Sequence, residues 1–360
     1  MGVFDNILHS DQTLLKNPDA LDFDFIPKIV PYREEEQRKI ANAIQPMFSN
    51  KTGGNLIIVG SPGVGKTVAC RHVLRELEEK SENIMPIYVN CWKKNTSYKI
   101  AIGLCEEIGY TFTQNKRTEE LLKEAIKYFN KKMVVFVFDE ADKAEETDFL
   151  YTLIEEVYKK SVLLITNSDT FFEELDDRIK SRLIPNFAEF RPYGLEETRG
   201  ILKQRIEDAF YPGVWETDAF EAVVEKAYEL RDIRIGIHFL KGACDAAESR
   251  SSKKIAMRDV QDSISRAERS PTQNKDSIEN EERIILDIIR ANSGMKIGDF
   301  FDIYSKKGGE GGYKTFQRRI KSLDEKGFLK LSKSKEGKGN TTIVEYKERV
   351  KSLADFSKGE

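Results

Sequence analysis

Between the apolar run NLIIV and the amphipathic stretch VACRHVLRELEEK the chain reads Gly60-Ser61-Pro62-Gly63-Val64-Gly65-Lys66-Thr67, which fits the pattern GxxxxGK[ST]. That octapeptide demands a buried strand in front of it and a helix behind it. Its glycines let consecutive backbone N–H groups turn inward around an anion, and the N-terminus of the following helix adds the positive end of its dipole. Residues 60–67, with Val68 in the first helical turn, are therefore the expected phosphate cradle. Lys66 is expected to reach the β- and γ-phosphates of a nucleoside triphosphate, and the Thr67 hydroxyl to hold Mg2+.

A phosphate loop of this kind needs an acidic partner, and MVVFVFDE supplies one: an apolar strand that ends in Asp139 and Glu140. Asp139 suits the hydrated Mg2+, and Glu140, one residue on, can orient or polarise the attacking water. VLLITNSD ends another apolar run at Asn167, a polar side chain delivered to the edge of a sheet where ligands bind in open parallel α/β folds. Such an Asn can position a water near the γ-phosphate. In ELDDRIKSRLIPNFAEFRPY, Arg178 and Arg182 are four apart and share one helix face, which suits a finger placed into a neighbouring subunit's site. Either arginine fits that role equally well by spacing.

The strand signals Asn55–Val59, Met85–Asn90, Met133–Phe138 and Val162–Thr166 are short apolar runs separated by helical stretches, the pattern of a parallel sheet covered on both faces. From Leu195 to about Arg269 the periodicity becomes helical throughout, and Ser270–Asn280 is polar with one Pro, as a linker would be. The expected division is an α/β base over residues 1–193, a helical lid over 194–270, a linker over 271–280 and a DNA-binding domain over 281–350. No repeat of solenoid or propeller length is present. With 39% hydrophobic and 33% charged residues the composition is that of a globular chain rather than a disordered one. No segment has the run of apolar residues a membrane helix needs, and MGVFDNILHSDQ has neither a basic nor an apolar leader region, so a cytoplasmic, nucleoid-associated protein is expected. Cys70, Cys91, Cys105 and Cys244 form no CxxC pair, which favours buried free thiols over a zinc site.

The formal net charge is only −3, yet residues 303–340 carry eleven Lys/Arg against four Asp/Glu. Basic character is thus concentrated at one end. There the chain spells three helices and a β-ribbon. In the third helix Phe316, Ile320 and Leu323 form the buried stripe, leaving Lys314, Thr315, Gln317, Arg318 and Lys321 for the major groove. Lys333, Lys335 and Lys338 lie in and beside a Gly-containing turn, where they would make a basic wing against the DNA backbone or minor groove.

Taken in order, PKIVPYREEEQRKIANAI, the phosphate loop, YVNC, FDEAD, ITNS, LDDRIKSRL and F-x-PY resemble the archaeal origin-recognition initiator family, relatives of the eukaryotic origin-recognition subunits and cell-division-cycle loading ATPases. The resemblance spans nearly the whole chain. It implies an AAA+ P-loop NTPase, a parallel sheet with helices on both faces, followed by an α-helical lid and a C-terminal winged-helix domain. It further implies that Val30, Pro31, Tyr32 and Arg33 pack against adenine, that Asn167 is the first sensor, that Arg182 is the interprotomer finger and that Arg234 is the second sensor, reaching the nucleotide from the lid. Where the family often reads GDARKAL, this chain has Arg231-Asp232-Ile233-Arg234-Ile235-Gly236-Ile237; Arg234 keeps its place among altered neighbours. Trp92–Gly109 falls where the family carries a helical insertion, with Lys93 and Lys94 placed to touch phosphates.

The implied activity is slow, switch-like hydrolysis of ATP to ADP and phosphate, with ATP or ADP and Mg2+ as cofactors. The implied partners are duplex origin DNA, the replicative helicase, and paralogous initiator subunits or further copies of the chain on DNA, with no membrane. Two other classes share parts of this plan: a nucleotide-gated DNA-binding regulator, and a transposition-helper or clamp-loader-like ATPase.

Overall fold

In the computed structural model the described residues are 13–269, 285–286, 288–290, 294–306, 312–325, 329–334 and 341–346. The chain divides into two compact units between Ile264 and Ser265. Among the described residues no helix is long and apolar enough to cross a membrane.

The first unit is built on five parallel strands, β1 (Leu56–Val59), β2 (Ile84–Asn90), β3 (Met133–Asp139), β4 (Lys160–Thr166) and β5 (Asn186–Glu189), in the spatial order β2-β3-β4-β1-β5. Four of these are the runs expected from the sequence. The fifth was hidden because β5 is a four-residue edge strand in which only Ala188 is buried, so it carries no apolar run. Along β3, side chains alternate between the two faces. Val134, Phe136 and Phe138 pack against α3 (Ser97–Glu107), α4 (Thr118–Phe129) and α5 (Asp148–Glu156), whereas Val135 and Val137 join the layer of α1 (Glu34–Ile44) and α2 (Lys66–Lys80). The expected parallel sheet with helices on both faces is therefore what forms. The short helices α6 (Phe171–Glu174) and α7 (Asp177–Leu183) follow β4.

The lid contains α8 (Leu195–Ala209), α9 (Thr217–Glu229), α10 (Ile233–Ser249) and α11 (Met257–Arg269). Leu202, Val223, Val224, Phe239, Leu240 and Ala243 are buried in it, at the three- and four-residue spacings that marked these helices in the sequence. The N-terminal segment departs from expectation. Residues assigned above to the base dock on the lid instead: Leu15 bridges Phe210, and the Lys16 and Asn17 amides donate to the Ala209 carbonyl at 2.8 and 3.1 Å. The carbonyl groups at the end of α8 have no helical partner of their own, so the incoming chain satisfies one of them.

The second unit has a three-stranded antiparallel sheet, β6 (Met295–Lys296), β7 (Leu329–Ser334) and β8 (Thr341–Tyr346), ordered β6-β8-β7, with helices α12 (Ile297–Lys306) and α13 (Tyr313–Glu325). Phe316, Ile320 and Leu323 of α13 are buried with Phe300, Tyr304 and Ile289, as their spacing required.

Phe138 stacks on Phe136 with 6.2 Å between ring centroids and meets Phe149 edge-on at 5.0 Å, one residue before Asp139. Replacing it with Ala should cost about 3–5 kcal/mol, the range for emptying a buried aromatic position. Urea unfolding followed by circular dichroism should show a lowered midpoint for the first unit.

Candidate nucleotide site

The strand order puts β4 between β3 and β1, so the C-terminal ends of these three strands deliver Asp139, Asn167 and the phosphate loop to one edge of the sheet. The loop itself is possible only with glycine at its turning points. Gly63 and Gly65 have φ of 78° and 88°, and a Cβ on Gly63 would run into the Asp232 carboxylate of the lid, while one on Gly65 would meet the Tyr193 hydroxyl. Gly65 closes the N-terminus of α2, leaving Lys66, Thr67 and Val68 in the first helical turn with backbone donors toward the loop.

Lys66 is buried, and its Nζ donates to the carbonyls of Gly60 (2.6 Å) and Ser61 (2.8 Å) and to Asn167 Oδ1 (2.8 Å). Burial pushes its ammonium down to about 8, opposed by the charges of Asp139, Asp142 and Glu140 and assisted by Arg234. The Thr67 hydroxyl donates to Asp139 Oδ2 at 2.8 Å, and the Tyr88 hydroxyl donates to the same oxygen. The Glu140 amide donates to Asp139 Oδ1 at 2.9 Å. Glu140 has φ of 53°, a left-handed conformation costing a non-glycine residue on the order of 1–3 kcal/mol. Burial, then the neighbouring Asp139 and Asp142, raises the Glu140 carboxyl above its ordinary range.

Arg234 enters from the start of α10. Its Nε and terminal nitrogen bond the Asp232 carboxylate at 3.1 and 2.7 Å, while Asp232 also caps the helix by accepting from the Arg234 amide at 2.8 Å. Its charge lowers the Lys66 ammonium further and opposes the rise of the Glu140 carboxyl. Arg178 and Arg182 lie elsewhere, on α7, where both guanidinium groups stand over the Tyr151 ring at 5.5 and 5.4 Å. Arg178 pairs with Asp176 at 2.9 Å and Arg182 with Glu155. The expected shared helix face is present, and both side chains are exposed.

The four residues expected around adenine divide. Val30 is buried, Pro31 is half-buried and Tyr32 is exposed with φ of 63°, its ring tip against Gly200 of the lid. Arg33 is fully buried: its Nε donates to the Val64 carbonyl at 3.2 Å, its terminal nitrogens reach Glu36 at 3.2 Å and the Arg191 carbonyl, and it stacks 3.9 Å over Tyr193. With no face open to a base, Arg33 braces the loop from beneath, which corrects the contact expected of it. A charge this deep is tolerated only where its five donors find acceptors.

Sequence reasoning missed Tyr88, Asp142, Asp232 and Tyr193, although YVNC, FDEAD and F-x-PY were all noticed. Each acts by proximity across elements, which spacing does not reveal. In the second unit Lys314, Gln317, Arg318 and Lys321 are exposed on α13 and Thr315 is half-buried. Lys333 lies in β7, while Lys335 and Lys338 fall outside the described residues.

Residues 49–174 match the model of an AAA domain, and residues 199–265 that of a Cdc6 AAA+ ATPase-type lid domain. The chain is 30% identical over 330 residues to ORC1-type DNA replication protein 1 of Sulfolobus acidocaldarius, covering 86% of this chain and 83% of that one. It is 28% identical over 357 residues to ORC1-type DNA replication protein 2 of Archaeoglobus fulgidus, covering 96% and 93%. Among solved structures, that of the Aeropyrum pernix ORC1 protein in complex with DNA superposes with a TM-score of 0.70 at 26% identity, over 93% of this chain and 94% of that one. With a phosphate loop, an acidic strand end and a lid arginine assembled in this order, the chain belongs to the family of ORC1-type DNA replication proteins.

Proposed function

We propose that this protein is a replication initiator whose bound nucleotide sets the state in which it grips origin duplex DNA and helps recruit the replicative helicase. The observation that carries the reading is the bridge made by Lys66, whose ammonium joins the carbonyls at the start of the phosphate loop to Asn167 at the end of β4. A cation held there meets the β- and γ-phosphates of ATP, and the Asn senses whether a γ-phosphate is present. Thr67 and Asp139 present a hydroxyl and a carboxylate oxygen 2.8 Å apart, a donor pair that fits Mg2+ when phosphates and waters complete its shell. Bound there, Mg2+ would offset charge developing between the β- and γ-phosphates. Glu140 takes the proton of the attacking water, Asn167 orients that water, and Arg234 reports the nucleotide to the lid. Val30, Pro31 and Tyr32 frame the adenine.

Arg182 is the better of the two finger candidates, because it takes the place of the Arg in the family's SRL sequence. Acting in a neighbouring subunit's site, on a paralogue or a second copy on DNA, it makes hydrolysis depend on assembly. The chain's own turnover is slow and switch-like. The second unit acts as a winged-helix domain, with Lys314, Thr315, Gln317, Arg318 and Lys321 facing the major groove. The remaining boundaries follow the sequence: base to 193, lid to 270, linker to 280, DNA-binding domain to 350. Its place of action is the cytoplasm, at the nucleoid.

Two measurements test this reading. Lys66→Ala should abolish retention of ATP in equilibrium binding; unchanged affinity would remove the nucleotide switch. Replacing Lys314 and Arg318 together by Ala should weaken origin-duplex binding at least tenfold at about 150 mM salt and narrow the preference for origin over unrelated duplex, since these side chains read base edges in the major groove. Full retention of affinity would move the DNA site elsewhere.

The depressed Lys66 ammonium adds a pH signature. Phosphate anions beside it favour the protonated form, so binding raises its pKa above the free-site value of about 8. Nucleotide affinity should be flat below that pH and fall by up to about tenfold per unit above it. Lys66→Arg, always charged, should lose this slope in titrations from about pH 7 to 9.5.

A further inference from the structure

We propose that Asp142 is the positioning residue that fixes Asn167 over the phosphate site; this rests on the reading of Asn167 as the γ-phosphate sensor. Asp142 follows the left-handed bend at Glu140 and lies in the single turn Ala141–Lys143, with its side chain almost wholly buried. Its Oδ1 accepts two hydrogen bonds from the end of β4, one from the Thr166 hydroxyl at 3.0 Å and one from the Asn167 amide at 3.2 Å. Its Oδ2 pairs with Lys143 at 2.7 Å. The Thr166 hydroxyl in turn accepts from the Ser168 amide at 3.0 Å, so three consecutive residues are tied to one carboxylate oxygen.

The need for this carboxylate follows from the strand register. β3 and β4 pair as far as Phe138 and Leu164, after which the chain leaves the sheet at Glu140. Beyond that point the β3 ladder offers Asn167 no carbonyl. A half-buried amide without an acceptor is costly, and Asp142 reaches back to supply the oxygen the strand no longer provides. The side chain of Asn167 is held from the other direction, its Oδ1 accepting from Lys66 Nζ at 2.8 Å. With the oxygen committed to Lys66, the two N–H donors of the amide turn away from the lysine. Asp142 and Lys66 thus clamp Asn167 at its backbone and at its side-chain oxygen, setting where those donors point. Burial acts to raise the Asp142 carboxyl, but hydrogen bonds from Lys143, Asn167 and Thr166 outweigh it and hold the group ionised.

The test is a mutant cycle in the full chain, read by single-turnover ATP hydrolysis and by the ratio of ADP to ATP dissociation constants. Asn167→Ala should slow hydrolysis and shift the ratio by roughly tenfold, the worth of one hydrogen bond to a charged group. Asp142→Ala should move both quantities in the same direction and by a similar factor, while ADP affinity stays within about twofold, because misplacing a positioning group by an ångström costs up to about 100-fold in rate. Asp142→Asn keeps an acceptor oxygen for Thr166 and Asn167 and should restore most of the loss. The Asp142→Ala, Asn167→Ala double variant should be no worse than Asn167→Ala alone. Additive losses in the double variant, failure of Asp142→Asn to recover, or wild-type behaviour of Asp142→Ala would each overturn the proposal. If Asn167→Ala itself behaves as wild type, the sensor reading falls and the proposal with it, an outcome separable from the others because only the Asn167 arm reports it.

Discussion

Asp139 is 2% exposed and carries a charge at the end of a strand whose other residues are almost all apolar. Removing a carboxylate from water costs several kcal/mol, and only donors aimed at it can offset that cost. Here they come from three directions: Thr67 on α2, Tyr88 on β2 and the amide of Glu140. The same demand that makes the carboxylate tolerable therefore locks the phosphate-loop helix, the adjacent strand and the bend at Glu140 to one point. Lys66 and Asn167 add a second tie between α2 and β4. The result is a site whose charged and polar groups hold one another in place, the arrangement that electrostatic discrimination between nucleotide states requires.

Arg33 does on the underside what Asp139 does on top. Its guanidinium holds the carbonyls of Val64 and Arg191, so the phosphate loop and the segment after β5 share a single buried cation. Tyr193, stacked on that cation, also lies against Gly65. The loop is thus braced from below by a stacked Arg–Tyr pair and faced from the lid by Asp232, which leaves Gly63 no room for a side chain. The glycine pattern that opened the sequence reading has two causes at once: backbone conformation and the crowding of these partners.

The legible parts of the molecule were those in which chemistry and spacing coincide. A phosphate loop, an acidic strand end and an apolar stripe at 316, 320 and 323 can be read along the chain because strand and helix periods place them. β5 escaped because an edge strand need bury only one face, and NFAE buries only Ala188. For Arg33 the family resemblance implied a base contact, whereas its burial depends on carbonyls 31 and 158 positions away. Asp142 and Tyr88 stand inside motifs that were recognised, yet their partners lie on neighbouring strands. Polar roles fixed by tertiary approach leave no periodic trace.

The path of residues 13–33 has a mechanical consequence. Near its start this segment is fastened to the lid, through the Ala209 carbonyl and through Arg205, which donates to the Ala20 carbonyl at 3.0 Å. Further on it is fastened to α2, where Arg75 holds the Ile26 and Pro27 carbonyls and His72 meets the Lys28 carbonyl at 3.0 Å. Five residues, Leu21–Phe25, separate the anchored carbonyls of Ala20 and Ile26, and a stretch that short has a fixed maximum reach of about 3.5 Å per residue. The segment therefore couples the lid to α2 through its own backbone: Asp22 also meets Lys241 of α10 and the Ile29 carbonyl accepts from Gln204 of α8, so separating the lid from α2 means stripping hydrogen bonds at both.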